Sequence, residues 1–189
     1  METQESVTQL LGQARAGDAA AFDRAYTLIH DRLRLAAHRQ LRGRRGQTLC
    51  TTSLVNEAWL KLARAELEAR DREHFLAMAA RAMRQIVMDH ARRVHAEKRG
   101  GQFLRVTLGD SLAEAAHDVD DMLALDAALQ RLAQADERLA QVVEWRYFGG
   151  LSELEIADLL GLTERTVRRD WRKARAFLYR EITREEARP

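Results

Sequence analysis

The only proline in the chain is the last residue, Pro189, so no proline interrupts a helix. Nine of the ten glycines lie at or between segments with helical periodicity, where glycine commonly ends a helix. Alternating strand patterns are nearly absent, and the one weak example, FLRVTL at 103–108, is expected to be extended linker. The sequence therefore predicts an all-α protein.

The clearest local signals lie in residues 152–180. Ser152 can cap a first helix, and Glu155 follows three residues later, which together form a capping box. Gly161 permits the left-handed turn that ends this helix, and Thr163 can cap the next one. Two helices joined by so short a turn predict a helix-turn-helix.

The second helix of this pair has two chemically different faces. At about 100° per residue, Val167, Trp171, Ala174 and Leu178 share one side, which we expect to be core. Residues 164–180 contain seven basic and two acidic side chains, a net charge of +5. A helix of this kind lies in the DNA major groove, where guanidinium groups bind guanine edges or phosphates. The predicted DNA-facing cluster consists of Arg165, Arg168, Arg169 and Arg172.

A helix predicted at 74–96 repeats this two-faced design. One side is apolar and includes Phe75, which we expect to belong to the core. The other side carries a largely basic stripe and is a candidate second contact with nucleic acid, although a solvated helix face is the alternative. The stripe consists of Arg81, Arg84, Gln85, Met88 and Arg92.

Charge is distributed unevenly along the 189 residues. Residues 1–99 hold 18 basic and 12 acidic residues, whereas residues 110–137 hold eight acids and one arginine. Separate patches of opposite sign are typical of a protein that meets both nucleic acid and another protein. The stretch 100–121, which begins with two glycines and ends with acids, is predicted to be a flexible linker between two small helical domains.

Other classes of protein receive little support from the sequence. No apolar run approaches the roughly 20 residues that cross a bilayer, and the N-terminus lacks a signal-peptide pattern, so we expect a soluble cytoplasmic protein. Cys50 is the only cysteine, which excludes an intrachain disulfide, and a buried or incidental thiol is expected. The six histidines show no metal-ligand spacing, and no nucleotide-binding or nucleophile motif occurs. We therefore expect neither enzymatic activity nor a metal or cofactor.

Three segments in order resemble one known family. SLVNEAWLKLA and HFLAMAARAMRQIVMDHARR resemble domain two, and VVEWRYFGGLSELEIADLLGLTERTVRRDWRKARAFL resembles domain four, of the extracytoplasmic-function (ECF) sigma factors of bacterial RNA polymerase. The resemblance covers nearly the whole chain. It implies domain two at 1–99, a linker at 100–121 and a helix-turn-helix domain four at 122–189.

The resemblance also implies partners and binding residues. Domain four would bind the −35 promoter element, domain two would hold and help to open the −10 element, and the 54–61 helix would dock on core RNA polymerase. A regulator such as an anti-sigma factor is a further candidate partner. The implied DNA-binding residues are Thr163, Glu164, Arg165, Thr166, Arg168, Arg169, Arg172, Lys173, Arg81, Arg84, Gln85, Met88, Arg92 and Arg93. The implied polymerase-binding residues are Leu54, Val55, Glu57, Leu60 and Lys61.

The sequence departs from the family pattern at two places. The docking helix usually begins with several acids, whereas Glu57 is the only acid here. Trp171 stands where a smaller aliphatic residue is usual, which predicts a deeper or differently packed pocket under the second helix of the pair.

Two other functions are compatible with the sequence. A dimeric helix-turn-helix regulator would bind symmetric half-sites without polymerase. A protein that sequesters another factor would make no contact with DNA.

Overall fold

The computed structural model describes residues 6–41, 49–64, 69–97 and 119–186. Within these ranges the chain forms eight α-helices, one π-helical turn and no strand, so the predicted all-α class is confirmed. The segment 103–108 and residues 100–118 of the predicted linker lie outside the described ranges. None of the described helices is long and apolar enough to cross a membrane.

Four described helices belong to the first half of the chain and four to the second. The first half contains α1 Val7–Arg15, α2 Ala19–Leu41, α3 Thr51–Arg64 and α4 Arg72–Glu97. The second half contains α5 Val119–Ala135, α6 Glu137–Val143, the π-turn Glu144–Phe148, α7 Glu153–Leu160 and α8 Glu164–Glu186. Helix α5 thus begins three residues before the predicted boundary at 122, and the division into two domains stays a prediction.

Local side-chain hydrogen bonds account for where α2 and α3 begin. The amides of Ala20 and Ala21 donate to Asp18 Oδ1 at 3.0 and 3.2 Å, as a capping aspartate at the start of α2 should. The hydroxyl of Ser53 is also suited to capping a helix, but Ser53 does not cap α3. The helix begins at Thr51, and the amide of Ser53 donates to the Sγ of the exposed Cys50 at 3.5 Å. A hydrogen bond with the Ser53 hydroxyl holds the pKa of the Cys50 thiol below its usual value.

The first half packs around an aromatic cluster. Phe75 on α4 is fully buried, as its place on the apolar side of the helix predicts. Its ring lies 6.0 Å from the ring of Trp59 on α3 and meets the ring of Phe22 on α2 edge-on at 6.4 Å. Edge-on and tilted aromatic pairs at these distances contribute stability beyond the area they bury. The cluster therefore ties α2 and α3 to one side of α4.

The second half of the chain packs along another side of α4. Helix α5 and the π-turn both contact α4, and the π-turn also contacts α2. The buried side chains of the two halves form one continuous hydrophobic cluster. In the π-turn the amide of Gly149 donates to the carbonyl of Glu144, five residues earlier, at 3.3 Å. This wider turn precedes the sharp bend at Gly149 and Gly150 that leads into α7.

Candidate nucleic-acid interface

Helices α7 and α8 have the boundaries that their capping signals predict. The amide of Glu155 donates to Ser152 Oγ at 3.2 Å, and the amide of Ser152 donates to Glu155 Oε2 at 2.9 Å. Gly161 ends α7 with a φ of 63°, a left-handed conformation that glycine adopts without strain. The amide of Thr166 donates to Thr163 Oγ1 at 3.3 Å at the start of α8. The turn between the two helices is therefore short and held at both ends.

One face of α8 is core, and the opposite face is exposed and cationic. Val167, Ala174 and Leu178 are fully buried, as predicted. The predicted DNA-binding side chains of α8 lie outside this core, and the structure leaves its basic members in solvent. The exposed basic side chains are Arg165, Arg168, Arg169, Arg172 and Lys173. Each of these side chains is therefore accessible to a ligand.

Trp171 lies between the core and this cationic face. It is half-buried, and the guanidinium of Arg146 lies 4.7 Å from the centre of its ring. Arg146 Nη1 donates to Glu153 Oε1 at 2.6 Å, and Arg168 Nε donates to Glu153 Oε2 at 2.9 Å. Hydrogen bonds from Arg146 and then Arg168 hold the pKa of Glu153 below its usual value.

Through these contacts Glu153, the first residue of α7, orients the side chain of Arg168. Sequence reasoning missed both Arg146 and Glu153. Glu153 and Arg168 are 15 residues apart on different helices, so no helical spacing relates them. Only the crossing of α7 and α8 brings them together.

The stripe predicted on α4 divides into exposed and covered residues. Arg81, Gln85 and Arg93 are exposed. Arg84 forms ion pairs with Asp126 on α5 at 2.7 Å and with Glu144 at 3.0 Å, and only 17% of its side chain is exposed. The structure therefore places Arg84 against the second half of the chain.

Two further members of the stripe lie at the same contact. Met88 is only 2% exposed. Arg92 bonds to Asp89 on its own helix and to Asp126 at 2.9 Å. In this arrangement Arg84 and Met88 are unavailable to nucleic acid, and Arg92 is engaged although partly exposed.

The predicted polymerase-binding residues on α3 also separate into two groups. Leu54 and Val55 are buried in the core of the first half. Glu57, Leu60 and Lys61 are exposed on the outer face of the helix, and Leu60 is 53% exposed. An exposed leucine flanked by a glutamate and a lysine is a surface that a protein partner can cover.

Glu155 links α7 to the first half of the chain as well as capping its own helix. Its carboxylate accepts hydrogen bonds from Arg32 on α2 and from Arg72 on α4, the latter at 3.2 Å. Burial by itself raises the pKa of this carboxyl, but hydrogen bonds from Arg32 and Ser152 outweigh burial and lower the pKa to about 2 from 4.5. The charged form of Glu155 therefore stabilises the fold.

We expect acid to remove this stabilisation. Because the pKa is lower in the folded protein than in the unfolded chain, the contribution is complete above about pH 4.5 and is lost as the pH falls toward 2. Partial exposure screens the ion pairs, so the loss in free energy of unfolding should be about 1–2 kcal/mol. Urea unfolding at a series of pH values measures it. Glu155→Gln keeps a capping acceptor and should lose less stability in acid, and an equal loss would contradict the assignment.

The described residues thus form an all-α protein whose last helix presents a cationic face to solvent. A family model for the ECF sigma factors matches residues 4–184, nearly the whole chain. The chain therefore belongs to the ECF sigma factor family. No curated protein matches the sequence significantly.

Membership has direct consequences for function. The family consists of non-enzymatic initiation factors that act in promoter-directed transcription with RNA polymerase. Core RNA polymerase and promoter DNA are accordingly the implied partners, and an anti-sigma factor is typical of the family. In the described part of the chain, no group of three or more His, Cys, Asp or Glu residues could hold a metal ion.

Proposed function

We propose that this protein binds core RNA polymerase and directs it to promoters by reading two DNA elements with separate surfaces. The observation that carries the proposal is the cationic face of α8, where five basic side chains lie in solvent opposite a fully buried apolar face. Helix α8 would enter the major groove of the −35 element. The N-terminal end of the helix would place Thr163, Glu164 and Thr166 near the bases. The basic side chains would contact bases and phosphates.

The second surface would be the stripe on α4. Arg81, Gln85 and Arg93 are exposed, and Arg84, Met88 and Arg92 continue the same surface where α5 and the π-turn now lie. Arginines would hold the phosphates of the −10 element while an unpaired base is captured nearby. Few aromatic side chains are available there for stacking, since Phe75 is fully buried.

Transcription from purified components tests the proposal. Core RNA polymerase, the protein and a duplex library randomised over both promoter elements are combined, and run-off transcripts are sequenced. The proposal predicts transcripts that depend on the protein and share two conserved elements. Binding of symmetric duplex sites without polymerase would instead identify a conventional regulator. Absence of both activities would support a protein that sequesters another factor.

Arg172→Ala should weaken binding to the selected −35 duplex. If Arg172 forms two hydrogen bonds with one base, the loss is about 1–3 kcal/mol and specificity relaxes at that position. A contact with phosphate alone would weaken all sequences alike and reduce the salt slope by about one. Fluorescence anisotropy at several salt concentrations distinguishes the two. Arg184→Ala is the control, because Arg184 is an exposed arginine three turns further along α8.

Equal binding by Arg172→Ala and the parent protein would contradict a role for the cationic face. Arg168→Ala provides a second test of the same face. Its ion pair with Glu153 must weaken when Arg168 contacts DNA, so a smaller loss is expected there than at Arg172.

The outer face of α3 is the proposed docking surface on polymerase. Leu60→Gln should weaken binding to core RNA polymerase about tenfold, because it removes an exposed apolar contact of the kind that interfaces bury. Leu60→Met retains the apolar contact and should bind almost normally. Biolayer interferometry with immobilised core enzyme measures both. Equal affinities for the three proteins would place the docking surface elsewhere.

A further inference from the structure

Six ion pairs between the two halves of the chain share the same polarity. The cation belongs to α2 or α4 in the first half, and the carboxylate belongs to the second half. The pairs are Arg32–Glu155, Arg72–Glu155, Arg84–Asp126, Arg84–Glu144, Arg92–Asp126 and His95–Asp120, in which His95 contributes a charge only when protonated. The basic and acidic patches that the sequence suggested for outside partners thus meet each other.

Asp126 lies at the centre of this contact. Its side chain is only 6% exposed, and its two oxygens face two different arginines. Oδ1 accepts from Arg84 Nη2 at 2.7 Å and from Arg84 Nε at 3.2 Å, and Oδ2 accepts from Arg92 Nη2 at 2.9 Å. A phosphate offers arginine the same pair of oxygens.

Arg84 is fully engaged by these carboxylates. Its third nitrogen, Nη1, donates to Glu144 Oε2 at 3.0 Å, so each of its three nitrogens bonds to a carboxylate of the second half. A nucleic-acid strand could take these bonds only by displacing Asp126 and Glu144. The acidic side chains therefore occupy the positions that phosphates would need.

Close backbone packing holds the same contact in a defined geometry. Gln40 Nε2 donates to the buried carbonyl oxygen of Phe148 at 2.6 Å. A Cβ added to Gly149 would lie 2.8 Å from the Cβ of Ala80, which shows how closely this bend approaches α4. The arrangement of the two halves is therefore specific rather than a loose attraction of opposite charges.

The contact remains accessible to solvent and salt along one side. A cleft of about 460 Å³ lies between α4, α5 and α6, and it is lined by Arg81, Gln85 and Arg92 among others. The side chain of Arg92 is 53% exposed. Such partly exposed pairs are weakened by salt and by competing anions, so another anion can replace the carboxylates at these arginines.

We propose that this is a masked state, in which Asp126 and Glu144 stand in for nucleic-acid phosphates and the second half must leave α4 before α4 can bind single-stranded DNA. This inference rests on the proposed function of α4. The cationic face of α8 stays open, so only one of the two DNA-binding surfaces is covered. Binding to polymerase, which would hold the halves apart, would then expose the second surface.

Asp126→Lys tests the masking. It places a third positive charge between Arg84 and Arg92 and should drive the halves apart. Asp23→Lys is the matched control, because it makes the same change of charge at an exposed position on α2, at a residue outside the ion pairs between the halves. Circular dichroism first establishes that each variant is folded. Glu144→Lys acts on the same contact and replaces Asp126→Lys if that variant does not fold.

Two measurements follow on the folded variants. The radius of gyration from small-angle scattering should rise for Asp126→Lys above the parent value, which is about 16 Å for a compact chain of this length. The affinity of Asp126→Lys for a fluorescein-labelled single-stranded DNA of mixed sequence should be about tenfold higher than that of Asp23→Lys. A folded Asp126→Lys variant that is as compact as the parent, or that binds single strands no better than Asp23→Lys, would overturn the masking.

Run-off transcription separates this inference from the proposed function. If the parent protein supports transcription while Asp126→Lys shows no gain in single-strand binding, the masking fails and the proposed function stands. If Asp126→Lys opens and binds single strands but neither protein supports transcription, the proposed function fails and the masking stands.

Discussion

Phe75→Ala is expected to lower the free energy of unfolding by about 3–5 kcal/mol. Phe75 is fully buried on α4, and its ring packs with the rings of Phe22 and Trp59 in one aromatic cluster. Removing the ring leaves a cavity at the point where three helices meet, and neighbouring aromatic rings are too rigid to fill it. Urea unfolding followed by far-ultraviolet circular dichroism measures the loss.

Phe75→Leu provides the control for volume. Leucine replaces most of the lost apolar contact, so the loss in free energy of unfolding should stay below about 1.5 kcal/mol. Similar losses for the two variants would show that the site collapses around alanine. The same result would contradict a tightly packed aromatic cluster.

Arg138→Met is expected to destabilise the protein by about 3 kcal/mol. Asp170 on α8 is buried, with 1% of its side chain exposed, and Arg138 Nε on α6 lies 3.0 Å from its Oδ2. Neither carboxylate oxygen of Asp170 accepts a well-directed hydrogen bond from a side chain, so charge pairing alone compensates its burial. The remaining cation, Arg169, is more distant at 3.7 Å. Removing Arg138 therefore leaves a buried charge without adequate compensation.

A double-mutant cycle with Asp170→Asn isolates this effect. Arg138→Met combined with Asp170→Asn should recover most of the lost stability, because no buried charge remains. The four free energies of unfolding are measured by urea titration. If the double variant is as unstable as Arg138→Met alone, Arg138 contributes through its packing and not through its charge.

Under the masking proposal, the DNA-binding surface of α8 is accessible in the free protein and that of α4 is covered. Helix α8 presents its basic face in the structure, whereas Arg84 and Met88 on α4 are covered. A protein in this state could bind duplex DNA through α8 without engaging a single strand. Under the proposal, promoter opening would therefore be restricted to protein that polymerase has already bound.

Signals that act over a few residues were predicted correctly from the sequence. The capping box of Ser152 and Glu155 and the left-handed turn at Gly161 both depend on groups no more than four positions apart. Ser53 failed as a cap because Cys50, three residues earlier, precedes the first turn of α3. Several residues can satisfy the same capping rule, and sequence alone does not rank them.

The surface of α4 shows what helical periodicity does not predict. Periodicity correctly grouped Arg84, Met88 and Arg92 on one side of the helix. It carried no information on whether that side faces solvent, because burial depends on α5 and the π-turn, which are distant in sequence. The Arg146–Glu153–Arg168 network was missed for the same reason.

The amino-acid sequence by itself determined the all-α class, the ends of α7 and α8 and the two faces of α8. These features follow from backbone geometry and from side chains within a helical turn or two of each other. Only the tertiary structure decided that the acidic patch lies on the basic stripe of α4. Charge composition identifies two complementary surfaces, but their meeting depends on the packing of Phe148 and Gly149 against α2 and α4.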